Sequence, residues 1–317
     1  MPGKWLRTIE EQNYELNAGV NTFNLPRSNF IGYIDVIFYE TGCATNTLLT
    51  AACNFPTIEV IGNGSSVMKY YSCRDARAIN IYDYGNSLAY FSGITEGEEC
   101  AMPVRIDFGR FPHDELSILP AKLFKQLQLR ITATAVAGAN LWDTAVDIGI
   151  EVEQYISADK PTEKVILKET IVREDAAGTT MIDFQLPHGL WLRGIVIIVD
   201  EMTGNWYNVL QVRVNNGAEL PWNGQMVTLV AKNFCESNIA FADYTAGGAV
   251  VAGAEILECT EELEDAAYMH IDFDPTRTLK DVLHTETFND LTLRLQTRTC
   301  STATKILARE YIVLGGE

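Results

Sequence analysis

The sequence predicts an all-β protein made of two tandem eight-stranded antiparallel jelly rolls, each with a short helix before its penultimate strand. Three observations carry this. The hydrophobic period is two rather than 3.6 along most of the chain. Strand-sized runs rich in β-branched and aromatic residues do not alternate with long helices, which excludes a parallel α/β fold. The pattern also occurs twice. Ile118-Leu119, Phe124, Leu127, Leu129 and Arg130 reappear at the same spacing as Val282-Leu283, Phe288, Leu291, Leu293 and Arg294. Ile106-Asp107-Phe108 returns as Ile271-Asp272-Phe273, and Phe23-Asn24-Leu25-Pro26 as Phe184-Gln185-Leu186-Pro187. The offset is 161 residues at Phe23/Phe184, 165 at Ile106/Ile271 and 164 at Phe124/Phe288. A near-constant offset over three landmarks means a duplicated domain, and two units this long are not a solenoid. The expected division is residues 1–157, a polar linker at 158–162 around Pro161, and residues 163–317.

Each half opens with Phe-x-Leu-Pro and then a strand covered on both faces, 30–39 and 190–199. Gly32 and Gly194 fall at matching places in these strands, where another backbone comes close. The next strand ends in Asn-Gly, at Asn63-Gly64 and Asn216-Gly217, a pair that accepts positive φ at a tight turn. Two less regular inserts follow, 65–102 and 218–266, which read as surface excursions. After the Ile-Asp-Phe strands come the expected helices, one over 114–119 stopped by Pro120 and one over 278–283 with Thr278 as N-cap. The penultimate strands hold Leu127, Leu129, Leu291 and Leu293 inward, with Arg130 and Arg294 outward. A last strand closes each half, from Ile148 and from Ile306.

The 317 residues are 47% hydrophobic and 21% charged, a globular balance. The net charge of −18 opposes a nucleic-acid binder, which needs a basic face. Seven cysteines without Cys-x-x-Cys spacing read as reduced thiols of a protein made in the cytoplasm, since no secretory signal opens the chain. No apolar run approaches a membrane span.

Two tandem jelly rolls with helices at these places, on a chain of this length, resemble the double jelly-roll major capsid proteins of tailless, membrane-containing icosahedral viruses of bacteria and archaea. The corticovirus, tectivirus and finnlakevirus types are the nearest in layout. The resemblance covers the whole chain and is one of architecture. It implies a homotrimer in which two domains per chain make a pseudo-hexameric tile. Such tiles pack with partners such as a penton into an icosahedral shell around an internal membrane, with no direct nucleic-acid contact. It implies a virion location after synthesis in the host cytoplasm. It also makes the inserts 65–102 and 218–266 tower candidates, and makes Trp5 and Leu6, near Lys4 and Arg7, candidates for lipid contact. For these two, packing of a first strand on the body is the competing reading.

The residues point away from an enzyme. His113, His188, His270 and His284 form no His-x-His pair, so a metal-binding duplicated cupin is not expected. No Gly-x-Ser-x-Gly elbow or Walker loop occurs. His113-Asp114-Glu115 reads as the acidic start of a helix. No cofactor is expected. Structural calcium is conceivable at the acid clusters Glu96, Glu98, Glu99 and Glu261, Glu262, Glu264, Asp265, though neither has EF-hand spacing. Arg130 and Arg294 are candidate subunit-contact residues. The alternative is a tandem carbohydrate-binding or adhesin-like β-sandwich, with Trp142, Trp191, Trp206 and Trp222 as sugar platforms.

Overall fold

The computed structural model describes residues 4–40, 56–84, 100–111, 113–114, 117–133, 146–156, 165–175, 181–199, 207–225, 228–229, 232–233, 267–297 and 304–314. The chain divides into unit 1, Met1–Lys168 with Leu314–Glu317, and unit 2, Glu169–Val313. The expected linker at 158–162 lies outside the described residues.

Unit 1 holds β1 (Lys4–Glu15), β2 (Gly19–Asn24), β3 (Phe30–Glu40), β4 (Thr57–Gly62), β5 (Ser66–Ser72), β6 (Cys100–Asp107), β7 (Leu127–Ala133) and β8 (Val146–Ile156). Antiparallel pairing orders them β1-β8-β3-β6 and β2-β7-β4-β5. Unit 2 is served by β9 (Val165–Asp175), β10 (Met181–Gln185), β11 (Trp191–Val199), β12 (Tyr207–Val214), β13 (Glu219–Gln225), β14 (Ala267–Asp272), the two-residue β15 (Leu283–His284), β16 (Leu291–Thr297) and β17 (Thr304–Val313). Its orders are β9-β17-β11-β14 and β10-β16-β12-β13, with β15 also on β11. With β15 set aside, both units run first-eighth-third-sixth and second-seventh-fourth-fifth. That order is the jelly roll.

The alternation of the strands builds the cores. Leu127, Leu129, Ile131 and Ala133 of β7 are buried while Gln128, Arg130 and Thr132 are half-buried. In unit 2, Phe184, Leu186, Ile195, Ile197, Leu210, Val212, Leu291 and Leu293 form one apolar cluster. Large-to-small changes inside such a cluster cost about 2–5 kcal/mol each.

The repeated motifs occupy matching places. Leu25 N–H bonds to the Leu127 carbonyl at 3.0 Å, and Leu186 N–H to the Leu291 carbonyl at 2.9 Å. Pro26 and Pro187 follow at once, and lacking an N–H they end the ladder. Asn63 N–H bonds to the Gln126 carbonyl at 2.8 Å, and Asn215 N–H to the Asp290 carbonyl at 3.0 Å. Asn63 and Gly64 have φ of 52° and 79°, and Asn216 and Gly217 have 59° and 86°, the left-handed conformation that Asn and Gly tolerate. Phe124 fills the space above Gly62, where a Cβ would lie 2.3 Å from the ring. Phe288 packs on the unit 2 cluster.

Gly32 and Gly194 are not equivalents. Phe108 N–H bonds to the Gly32 carbonyl at 2.9 Å, whereas Phe273 N–H bonds to the Arg193 carbonyl at 2.7 Å. Both acceptors sit where the strand register shifts, between Ile31 and Tyr33 and between Leu192 and Gly194. The bulge therefore aligns Gly32 with Arg193, one residue from the sequence expectation. Each glycine still has a steric reason. A Cβ on Gly32 would lie 2.7 Å from the Trp5 indole, and one on Gly194 2.7 Å from both the His270 ring and the Ile271 carbonyl oxygen.

Among the described residues no helix winds over 114–119 or 278–283, with 115–116 lying outside them. In unit 1 the helical turn is a 3-10 turn at Ala121–Leu123, after Pro120, and Leu119 instead makes a bridge with Ile31. In unit 2 the segment 278–283 is a bent loop leading into β15. Arg277 and Leu279 have φ of 52° and 64°, which breaks helical winding. Thr278 is not a cap. Its N–H and that of Leu279 donate to Asp274 Oδ1 at 3.1 and 3.0 Å, an Asx-type turn that outcompetes the helix.

A helix does occur inside the first insert, at α1 (Cys73–Tyr84). Ser72 N–H donates to Asp75 Oδ2 and Asp75 N–H to Ser72 Oγ, both at 3.1 Å, a reciprocal cap. Ala76, Ala78, Ile79 and Tyr82 are buried. Residues 66–84 are thus strand and packed helix rather than a surface excursion. Likewise 219–225 of the second insert is strand β13. The remainders 85–99 and 234–266 lie outside the described residues.

Candidate assembly surfaces

Topology gives unit 1 two dissimilar ends. The strand ends from which 41–55, 85–99 and 134–145 depart lie at one, here the loop end. The other, the turn end, carries the connections 25–29, 63–65 and 108–126. It also carries the start of β1 and the finish of β8, since Lys4 pairs with Ile156 and Phe30 with Tyr155. Unit 2 is built the same way, with 200–206, 226–266 and 298–303 leaving one end and 186–190, 215–218 and 273–290 the other.

Arg130 and Arg294 occupy the same row of their sheets. Across β2-β7-β4-β5 the row reads Thr22, Arg130, Glu59, Tyr70. Across β10-β16-β12-β13 it reads Asp183, Arg294, Gln211, Asn223. The acid has moved from the fourth strand to the second. In unit 2, Arg294 forks onto Asp183, Nε to Oδ1 at 2.6 Å and Nη2 to Oδ2 at 2.5 Å, and holds that carboxyl below its ordinary range. Gln211 Nε2 extends the row to Asn223 Oδ1 at 3.1 Å. The two units thus present alike shapes with different charge patterns.

The opposite sheet of unit 1 carries a denser network. Arg105 forks onto the buried Asp35 at 2.8 and 2.9 Å, Arg7 reaches Asp35 at 2.8 Å, and Arg7 also pairs with Glu151. Arg105 stacks over Tyr33 at 3.7 Å. An asparagine bonds the backbone of one edge strand in each unit, β6 and β14. Asn80 of α1 donates to the Arg105 carbonyl of β6 at 3.0 Å. Asn233 pairs both ways with the His270 backbone of β14, at 2.8 and 3.0 Å.

Asp107, in the first Ile-Asp-Phe, is buried and its Oδ2 has no hydrogen-bond partner among the described residues. Burial pushes its pKa from 3.8 up to about 7, against the pull of the Tyr84 hydroxyl and Arg105. The fold therefore favours the neutral acid. This contribution is complete below pH 3.8 and is withdrawn as the pH rises through about 7. Asp107→Asn is expected to remove about 2–3 kcal/mol of stability loss between pH 5 and pH 8. Urea unfolding at the two pH values measures it, and parallel pH dependence in parent and variant would contradict it.

Each connection between the sixth and seventh strands is organised by a buried aspartate. In unit 1, Asp114 accepts Arg110 Nε at 2.6 Å, Arg110 Nη2 at 3.0 Å and the Ser117 hydroxyl at 2.6 Å. The expected helix start is instead this turn, with His113 at φ 61°. In unit 2, Asp274 holds the loop and accepts the Tyr311 hydroxyl at 3.2 Å.

Trp5 packs on Phe30, Ile118 and Tyr155 and lies 4.8 Å from the His113 ring, so the body of unit 1 takes it up. Leu6 remains 37% exposed. Trp191 lies edge-on to His284 at 4.5 Å and Trp222 packs on the unit 2 cluster, so neither is an open platform. Trp142, Trp206 and both acid clusters lie outside the described residues. Among the described residues no group of three His, Cys, Asp or Glu side chains is placed to hold a metal, and no helix is long and apolar enough to cross a membrane.

No protein-family model matches the sequence, and no curated protein does. Solved structures match along the whole chain. The STIV MCP crystal structure is 14% identical with a TM-score of 0.68, over 98% of this chain and 97% of that one. A chain of the Sulfolobus Turreted Icosahedral Virus structure is 15% identical with a TM-score of 0.66, over 98% and 91%. The major capsid protein P2 from Bacteriophage PM2 is 12% identical with a TM-score of 0.64, over 98% of both chains. At this identity the likeness shows the fold, and that fold is the double jelly roll of viral major capsid proteins.

Proposed function

We propose that this chain is the major capsid protein of an icosahedral virus and a structural protein rather than an enzyme. The observation that carries the reading is a double jelly roll matched over 98% of its length to a bacteriophage major capsid protein, with nearly all of that chain covered too. Three chains of two domains make a six-sided homotrimeric tile, and the tiles close into a shell around an internal membrane, completed by other proteins such as a penton. The domains lie at residues 1–157 and 163–317, joined by 158–162. Duplication within one chain lets neighbouring blocks differ, as the rows through Arg130 and Arg294 do. Head-to-tail contacts then close a ring. The inserts 65–102 and 218–266 remain the tower candidates on this reading. The net charge of −18 suits a protein separated from its genome by lipid. The chain is made in the host cytoplasm and ends in the virion.

Light-scattering mass with negative-stain imaging of the purified protein tests this. The expected result is pseudo-hexagonal particles of three chains, and a monodisperse monomer would overturn it. Replacing Arg130 and Arg294 together with Ala is expected to weaken the subunit contacts and with them trimer assembly. Unchanged assembly of that variant would remove both residues from the subunit contacts.

A further inference from the structure

The turn end of unit 1 holds a cleft of about 770 Å³ between the segments 24–28 and 122–127. Its lining includes Arg27, Lys122 and Lys125 and no carboxylate. That composition runs against the chain as a whole, which has 42 acids and 24 bases. The cations are held in place. Arg27 Nη1 donates to the Phe124 carbonyl at 3.4 Å and to the Lys125 carbonyl, which orients the guanidinium and occupies the two negative dipoles nearest to it. Lys122 Nζ lies 4.2 Å from the centre of the Phe30 ring. Ser28 and Gln126 add polar side chains to the same wall.

The same end of unit 1 carries a fringe of exposed apolar side chains. Leu123, between Lys122 and Lys125 in sequence, is 59% exposed, Phe111 is 40%, Ile156 is 38% and Leu6 is 37%. All four lie on segments that end or turn at the turn end: the start of β1, the finish of β8 and the connection 108–126. A cleft for a small free anion needs no such fringe. Cations that meet headgroup phosphates, beside apolar tips that reach the acyl boundary, are what a bilayer surface selects.

We infer that the turn end of unit 1 binds the phosphate headgroups of a bilayer, with Arg27, Lys122 and Lys125 as the anion cleft and Leu123 as the apolar contact. The inference rests on the membrane-lined shell proposed above and assigns the lipid contact to particular residues. Trp5 then supports the site from beneath through Phe30, and Leu6 shares the contact.

The test is flotation of the full chain with vesicles of phosphatidylglycerol and phosphatidylcholine, beside vesicles of phosphatidylcholine alone. Binding is expected to the first and not the second. The K122E/K125E double variant, altered only at exposed positions, is expected to partition about thirtyfold less well. Leu123→Ser is expected to weaken binding without changing its salt dependence. Equal partition of K122E/K125E and the parent would overturn the inference. So would binding of inorganic phosphate with none to vesicles, which defines a free-anion site. Salt-sensitive self-association lost in K122E/K125E, with no vesicle binding, would assign the cleft to a neighbouring acidic chain and also overturn it. Mass measured on the same samples separates the two readings. Trimers that ignore vesicles sink the headgroup site alone, and monomers that bind them through Lys122 and Lys125 sink the capsid reading alone.

Discussion

Arg309→Ala is expected to destabilise unit 2 by about 3–5 kcal/mol. Arg309 on β17 and Glu169 on β9 are both buried, with Nε 2.7 Å from Oε1. Arg309 Nη1 also lies 3.5 Å from His270 Nε2. Removing the guanidinium takes one charge out of a buried pair and leaves the Glu169 carboxylate desolvated. The attraction within such a pair roughly offsets the cost of desolvating it, so the penalty comes from losing that offset. Replacing both residues with apolar ones of similar size, R309M with E169L, is therefore expected to recover most of the loss. Urea unfolding followed by tryptophan fluorescence measures both variants. A loss below about 1 kcal/mol for Arg309→Ala, or no recovery in the double variant, contradicts the account.

Asp114→Ala carries a penalty of the same size, about 3–5 kcal/mol, in unit 1. One carboxylate there takes two bonds from the Arg110 side chain, one from the Arg110 backbone at 3.2 Å and one from Ser117. Arg110 is 1% exposed, so losing Asp114 removes a carboxylate that offsets the desolvation of its charge. Asp114→Asn keeps the size but not the charge and is expected to fall between parent and Ala. The readout is the unfolding midpoint together with protease sensitivity at 108–126. An unchanged midpoint would remove Asp114 as the organiser of that connection.

The Arg309–Glu169 pair was not legible in the sequence, because its partners are chosen by register, whereas Arg110, Asp114 and Ser117 are neighbours in sequence whose turn resembles a helix start. Arg309 and Glu169 are 140 positions apart and meet only once β9 and β17 pair. The strands were legible because alternation such as Leu127, Leu129 and Ile131 repeats every second residue, and because Asn63-Gly64 and Pro26 mark strand ends by local chemistry. The helices failed for the opposite reason. Leu279, Val282 and Leu283 have helical spacing, but Asp274 supplies a competing set of acceptors from outside the window. The α1 helix carries a local signal, since Ser72 with Asp75 is a capping pair, but the tyrosines and charges of its segment have the composition of a surface stretch. The basic cleft was hidden by the total charge, since Arg27 lies far in sequence from Lys122 and Lys125.

The asparagine seals at Asn80 and Asn233 bear on the crowded interval before shells close. A coat component accumulates at high local concentration, and every open strand border is then an invitation to zip laterally into fibres. Asn80 and Asn233 occupy one residue each on β6 and β14 from within the same molecule, which interrupts those borders for a passing copy. In the capsid role proposed above, that interruption opposes growth into endless ribbons.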